Sequence, residues 1–348
     1  MKRFIYAAIA VLGTCCPGYA AEGDADSGSK GQTDLLNIDV RARVDWQNEW
    51  NHGSTVDSNS GFEGKYLMLR LDGRIVDGLT YSWRQRFNKS AFDSSFFDAT
   101  DWLNVTYETD GWDFSAGKQI VAIGGWEYDR NPVDLYSTSV FWQNVNCYQL
   151  GVSAGYQFTE QDHLLFQVSQ SMFHTTEHRN MYDYNLLWRA QHGLWQPIWS
   201  VNLSEYAPGR YINYIVLGNR FDYDKAYLEF DLMNRYAHHQ AFLLRDCSLI
   251  AELGYNITPA WRVHAKYTYD VNKAHNNADL YVLPGTELNM AGGGIEFFPL
   301  KKKRTSLRLH ANCYGSWGKN TNSADVMQNK TVMLDFGVSW DMNLLNLK

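Results

Sequence analysis

The chain has no apolar run approaching the ~20 residues that a membrane-spanning helix needs. Its mean hydropathy is -0.41, which taken alone suggests a water-soluble protein. Cysteine is scarce, with 5 residues in 348. Cys15 and Cys16 fall in the N-terminal segment, which leaves Cys147, Cys247 and Cys313. Three cannot all pair within the chain, and their spacing matches no metal motif. Excess basic charge is also missing. Lys and Arg number 31 against 38 Asp and Glu, a net charge of -7, which argues against a nucleic-acid partner. There is no internal repeat and no sign of a second domain.

The first residues read as a secretory signal over 1–20. Lys2 and Arg3 form a charged start, Phe4 to Leu12 an apolar stretch, and Gly18-Tyr19-Ala20 the small residues around a cleavage point. Leu12-Gly13-Thr14-Cys15 resembles a lipoprotein box, but ordinary export explains the segment. Residues 21–33, rich in Gly, Ser, Asp and Lys, read as a disordered linker.

What is present in abundance is alternation. Leu307, Leu309, Ala311 and Cys313 are interleaved with Arg308, His310 and Asn312. Val332, Leu334, Phe336, Val338 and Trp340 alternate around Asp335, with Asp341 beyond. A period of two puts the two sets on opposite faces of a strand. Many such segments run to about ten residues, joined alternately by tight turns and longer polar stretches, which is the signature of a transmembrane β-barrel. A barrel also reconciles the hydropathy, because only alternate residues meet lipid. Aromatics make up 15%, with 13 Trp and 22 Tyr, as girdles at two membrane interfaces require.

The expected fold is therefore all-β: an antiparallel barrel over residues 34–348 with about 16 strands. Asp77-Gly78, Asp110-Gly111, 159–162, 258–260 and 299–304 read as short turns; 51–61, 89–100, 119–140, 173–183, 235–246, 271–287 and 318–330 read as long connections. Strand limits are least distinct over 182–225. The third long connection carries Gly124-Gly125-Trp126-Glu127-Tyr128-Asp129-Arg130-Asn131-Pro132. Its aromatics suit packing, and the lumen of a barrel this size is the place to pack them. Trp340 is expected to close the last strand.

Leu69-Arg70-Leu71-Asp72-Gly73-Arg74-Ile75, the run from Gly78 to Phe87, Ala99 to Val105, Gly117-Lys118-Gln119-Ile120 and Gly293 to Leu300 together resemble the bacterial porins of the phosphate-selective O/P type. The strongest motifs lie within 62–127. The resemblance implies a water-filled outer-membrane barrel with its third loop folded inward, and a homotrimer. Family members named for phosphate look to use an arginine-rich lumen wall and a lysine cluster. Here the loop has one basic residue, Arg130, against Glu127, Asp129 and Asp134, so no tight phosphate site is expected.

Parity places Arg41, Arg43, Arg70, Arg74, Arg84 and Arg86 on the lumen side of three neighbouring strands, as one basic wall. Arg262, His264 and Lys266 share lumen parity farther round, with Glu229, Asp231 and Glu252 supplying acid. Charge lining a narrow passage sets ion selectivity. The bland alternative is that these arginines pair with Asp39, Asp45 and Asp72 and merely fill a wet interior. On the functional reading, Glu127 and Asp129 of the inward loop face Arg84 and Arg86 and set up a transverse field, with mild anion preference.

Two catalytic patterns carry little weight. Gly151-Val152-Ser153-Ala154-Gly155 fits a nucleophile elbow, which needs a strand, a sharp turn and a helix, yet strand alternation runs straight through it. His174-Thr175-Thr176-Glu177-His178 fits an inverted zinc-protease motif but falls in a polar loop. His238-His239 and Lys301 to Arg304 read as solvated connections. The sequence thus points to a bacterial outer-membrane porin passing small hydrophilic solutes or ions. Lipid is its surroundings, and no enzyme activity, cofactor, metal or nucleic acid is expected. A plugged barrel serving as receptor, adhesin or scaffold is the alternative.

Overall fold

A computed structural model describes residues 35–88, 96–237, 245–274, 276–300, 303–322 and 328–347. The signal and linker expectations lie outside these residues, as do His238, His239, Lys301 and Lys302.

Sixteen long strands follow one another in a meander. They are β1 Leu36–Asn51, β2 Gly61–Val76, β3 Leu79–Arg86, β4 Thr100–Thr109, β5 Trp112–Ile120, β6 Tyr148–Gln157, β7 Asp162–Gln170 and β8 Tyr182–Ala190. Then come β9 Trp195–Ala207, β10 Arg210–Asp222, β11 Ala226–Ala237, β12 Asp246–Thr258, β13 Trp261–Asn272, β14 Glu287–Phe297, β15 Leu307–Lys319 and β16 Thr331–Leu347. A two-residue ladder, Ser54–Thr55, leans on β1 in the first outer connection. Each strand pairs antiparallel with its sequence neighbours, and β1 pairs with β16 from Leu36↔Leu347 to Asn51↔Thr331. That last ladder closes the sheet and leaves no edge, as a lipid environment demands. Pairing continues beyond Trp340 to Leu347, so Trp340 lies within the last strand and does not end it.

The alternation sorts as expected. On β8, Tyr182, Tyr184 and Leu186 are exposed while Asp183, Asn185 and Leu187 are buried. On β16, Val332 and Phe336 are exposed while Thr331, Asp335 and Ser339 are buried. The apolar belt is outside and the polar residues are inside, the reverse of a soluble sandwich. Cys247 is buried, and Cys313 is on the exposed face.

Two departures from the sequence reading have physical causes. The fifth outer connection is the tight turn Pro208-Gly209 between β9 and β10, so long and short connections do not alternate without exception. The limits over 182–225 were indistinct because β10 is apolar on both faces. Ile215, Leu217 and Phe221 occupy one face; Ile212, Tyr214 and Val216, each fully buried, occupy the other. That inner apolar patch packs against outer connections: Val121, Tyr128 and Phe141 from the third, Phe173 from the fourth, and Tyr281 and Val282 from the seventh. Phe173 and Tyr281 stack at 4.7 Å, and Tyr281 Oη donates to Met172 O at 2.8 Å.

The facing assignment predicts a sharp contrast between adjacent residues of β4. Val105, at 43% exposure, faces lipid, whereas Asn104 faces the lumen. Val105→Arg should cost about 2–4 kcal/mol of folding stability near the bilayer midplane, and Asn104→Arg far less. Urea titration of refolded barrels in lipid vesicles reads the difference; equal costs would reverse the facing.

Candidate pore constriction

The third outer connection, between Ile120 and Tyr148, is the segment around which the site is built. It begins with a sharp backbone turn. Gly125 has φ +100, and a Cβ there would press on Asp231 Oδ2 at 3.3 Å and Val216 Cγ1 at 3.4 Å, so glycine is required. This close approach lets Trp126 N and Glu127 N each donate to the Asp231 carboxylate at 2.9 Å. Gly124 N donates to Ser200 Oγ at 2.8 Å. Backbone amides exposed by the turn are thus satisfied by side chains of β9 and β11.

Charge pairs carry the loop onward. Asp129 accepts from both terminal nitrogens of Arg189 on β8, one at 2.9 Å. Arg130 donates to Glu252 Oε1 at 2.7 Å and to Glu229. Glu127 accepts from Ser139 N at 3.0 Å and lies 2.7 Å from Lys266 Nζ. Asp134 pairs with Arg308 on β15 at 2.5 Å. Leu135 O accepts from Arg43 on β1 at 2.6 Å, and Tyr136 Oη donates to Glu296 on β14 at 2.7 Å. Bidentate and charge-assisted bonds of this kind are the strong ones. Among the described residues the loop therefore contacts strands from β8 round to β15 and on to β1, through side chains with the parity of the buried set.

The six arginines of the expected wall do sit on β1, β2 and β3, but every one is paired with an acid. Arg41 pairs with Asp341 at 2.8 Å and Arg43 with Asp45 at 2.6 Å. Arg70 pairs with Asp72 at 2.6 Å, and Arg74 with Asp77 at 2.8 Å at the exposed short turn. Arg84 and Arg86 share Asp101, at 2.9 and 3.3 Å, and Arg84 also stacks on Trp102 at 3.7 Å. The expected facing of Glu127 and Asp129 toward Arg84 and Arg86 is not found. The loop swings from β5 toward the opposite wall, so its carboxylates meet Lys266 and Arg189 instead.

Asp101 is the residue that parity reasoning misses. Leu103, Val105 and Tyr107 face lipid, which by simple alternation would expose Asp101 to lipid. A bulge intervenes: Arg84 pairs with Trp102 and Gln85 with Thr100, so Asp101 is skipped. Such an extra residue re-aims its side chain, and Asp101 becomes fully buried between two guanidiniums. Arg189, Arg220 and Arg308 were readable, since each keeps the inward parity of its strand.

Beside Arg130 and Tyr136 lies about 480 Å³ of atom-free space. Its charged lining is Arg130, Arg220, Arg262, Lys266 and Arg308 against Asp134, Glu252 and Glu296. Arg262, His264 and Lys266, expected on one face, do converge there.

Neither catalytic pattern is assembled as its chemistry needs. Residues 151–155 lie inside β6, where Ser153 Oγ donates to Gln119 Oε1 at 3.0 Å. The 174–178 stretch is a loop, with His174 Nδ1 2.7 Å from Ser171 O.

The model of the family described as phosphate-selective porin O and P matches residues 36–338. The chain belongs to that family. Its fold is that of solved outer-membrane channels. The anion-selective porin from Comamonas acidovorans superposes with TM-score 0.63 at 10% identity, covering 89% of this chain and 100% of that one. The outer membrane channel DcaP of Acinetobacter baumannii gives 0.62 at 11% identity, covering 90% and 99%. The trimer form of OmpT, an outer membrane protein of Vibrio cholerae, gives 0.55 at 11%, covering 89% and 100%. No curated protein sequence matches the chain. The protein is a porin of the bacterial outer membrane that lets small hydrophilic solutes diffuse passively; its family and fold are those of a channel.

The shared carboxylate makes a direct prediction for this porin. Asp101→Asn leaves Arg84 and Arg86 with no full negative charge between them, and closely spaced guanidiniums stay charged. Its reversal potential in a KCl gradient should move toward anions relative to the parent. An unmoved potential would mean that the Arg84–Asp101–Arg86 cluster does not face the ion path.

Proposed function

We propose that the porin is a narrow, weakly anion-preferring diffusion channel whose third outer loop lies in the lumen and sets its narrowest section. The observation that carries this reading is the ring of loop contacts: one segment reaches Arg189, Asp231, Glu252, Lys266, Glu296, Arg308 and Arg43 in turn. A loop lying outside the barrel could not touch inward-facing side chains on so many strands. Weak anion preference is supported by the five basic against three acidic side chains around the open space. It is kept weak by pairing, for Glu229 and Glu127 lie behind Arg130, Arg220 and Lys266. Screening over roughly 8–10 Å in physiological salt should weaken it further. No catalytic step is involved. Residues 1–20 direct export, and the assembly is a homotrimer, as in the trimer form of the Vibrio cholerae relative.

A second reading has an observation of its own. The apolar cluster around Phe141, Phe173, Tyr214 and Tyr281, added to the paired charges, resembles the filling of a closed receptor or scaffold barrel. Planar-bilayer recording separates the two. The diffusion channel gives discrete conductance steps, and deleting residues 124–134 should enlarge them and admit larger sugars in vesicle-swelling assays. Silent membranes with both proteins would establish the closed barrel; steps of unchanged size after the deletion would place the constriction elsewhere.

A further inference from the structure

Where the barrel closes, three strands bring together a group that the passage of solutes does not use. Asp45 on β1, Gly337 on β16 and His310 on β15 lie in one lateral row. The central residue has no side chain, and a Cβ there would overlap Asp45 Oδ1 and come within 2.6 Å of His310 Nε2. The glycine therefore opens the gap across which the two outer residues meet. His310 Nε2 lies 3.0 Å from Asp45 Oδ1 and 3.6 Å from Asp335 Oδ1. Ligand atoms of Asp45, His310 and Asp335 all fall within 4.8 Å of one another, and all three residues are buried.

The two carboxylates of this group are unequally covered. Asp45 is covered by Arg43, whose Nε is 3.0 Å from Oδ1 and whose terminal nitrogen is 2.6 Å from Oδ2. Among the described residues Asp335 has no arginine or lysine within salt-bridge distance, and Arg43 acts on it only from farther away. Among the described residues its side-chain partners are Asn312 Nδ2, at 2.7 Å from Oδ1, and His310. Among the described residues Asp335 Oδ2 has no hydrogen-bond partner, though the residue is only 1% exposed. A buried carboxylate oxygen with no donor is costly; a cation held by Oδ1 offsets the carboxylate's charge, and one held by both oxygens also gives Oδ2 a partner.

We propose that Asp45, His310 and Asp335 form a binding site for one divalent first-row transition-metal ion. The donor set, one imidazole nitrogen and two carboxylates, suits zinc, manganese or ferrous iron and is ill-matched to magnesium or calcium, which prefer oxygen alone. Bonds of about 2.0–2.2 Å at near-tetrahedral angles put ligand atoms roughly 3.3–3.6 Å apart; His310 Nε2 lies 3.0 and 3.6 Å from the two aspartates, all three ligand atoms are within 4.8 Å of one another, and small side-chain shifts would complete the shell. Arg43 orients Asp45 from behind while leaving an Oδ1 lone pair toward the site, the outer-shell role that metal-binding carboxylates need. Because its ligands come from β1, β15 and β16, the ion clasps the first strand to the last two across the closing seam. The Tyr136 ring lies 4.6 Å from the His310 ring, which places the site against the third loop.

The test uses the full-length folded barrel, stripped with chelator in detergent, loaded with zinc chloride and desalted. Metal analysis should find about one zinc per chain, and zinc should raise the unfolding temperature because it binds the folded state alone. Cobalt in place of zinc should give a visible absorption band. Asp335→Asn retains an oxygen to accept from Asn312 and should fold, as heat-modifiable gel mobility will show. It and His310→Gln should each bind zinc at least about tenfold more weakly. Failure of the parent barrel to retain zinc would overturn the proposal, leaving a metal-free cluster in which His310 Nε2 contacts Asp45. Retention unchanged in both variants would overturn it equally, by placing the bound zinc elsewhere.

Discussion

In hydrocarbon a peptide N–H or C=O without a partner costs several kcal/mol, and this single constraint shapes the whole porin. It requires the ladder between β1 and β16, with pairs from Leu36↔Leu347 to Asn51↔Thr331. Closure forces every strand to present one face to lipid and one to the interior. Lipid selects Val105, Phe166, Phe230 and Phe336 for the outer face. What remains inside is polar, and it is crowded enough that many of its charges are buried.

That crowding explains the pairing. A guanidinium removed from water must recover its solvation from an acid and from hydrogen bonds. Arg235 does so completely, donating to Asp246 at 2.7 Å, Asp279 at 2.5 Å and Ser248 Oγ at 2.7 Å. Asp279 belongs to the seventh outer connection, so the same pair holds that connection against the wall. The third loop is held likewise through Asp129, Arg130 and Asp134. Wall charges thus have two consequences. They fix the loops, and they leave little net charge to act on passing ions.

Much of this was legible in the sequence, because period-two alternation reports facing directly. The outer and inner sets of β15 and β16, the inward Arg262, His264 and Lys266, and the long third connection all follow from it. Parity, however, gives the face of a strand and not its angular position around the barrel. The partners of Glu127 and Asp129 could not be read, and Arg189 and Lys266 took the place assigned to Arg84 and Arg86. Alternation also fails where its physical cause fails. On β10 the inner face meets an apolar loop core in place of water, and at Asp101 a bulge breaks the period. The Asp45, His310 and Asp335 cluster has no motif spacing, since its members lie on the first strand and the last two and meet only when the barrel closes.

The central claim is that paired wall charges leave a conducting but weakly selective lumen. Its most direct test is the zero-current potential of the unmodified porin in a planar bilayer across a tenfold KCl gradient. The account predicts a small potential of anionic sign that shrinks further when both salt concentrations are raised at constant ratio. A potential approaching the ideal anion-selective limit, or one of cationic sign, would contradict it.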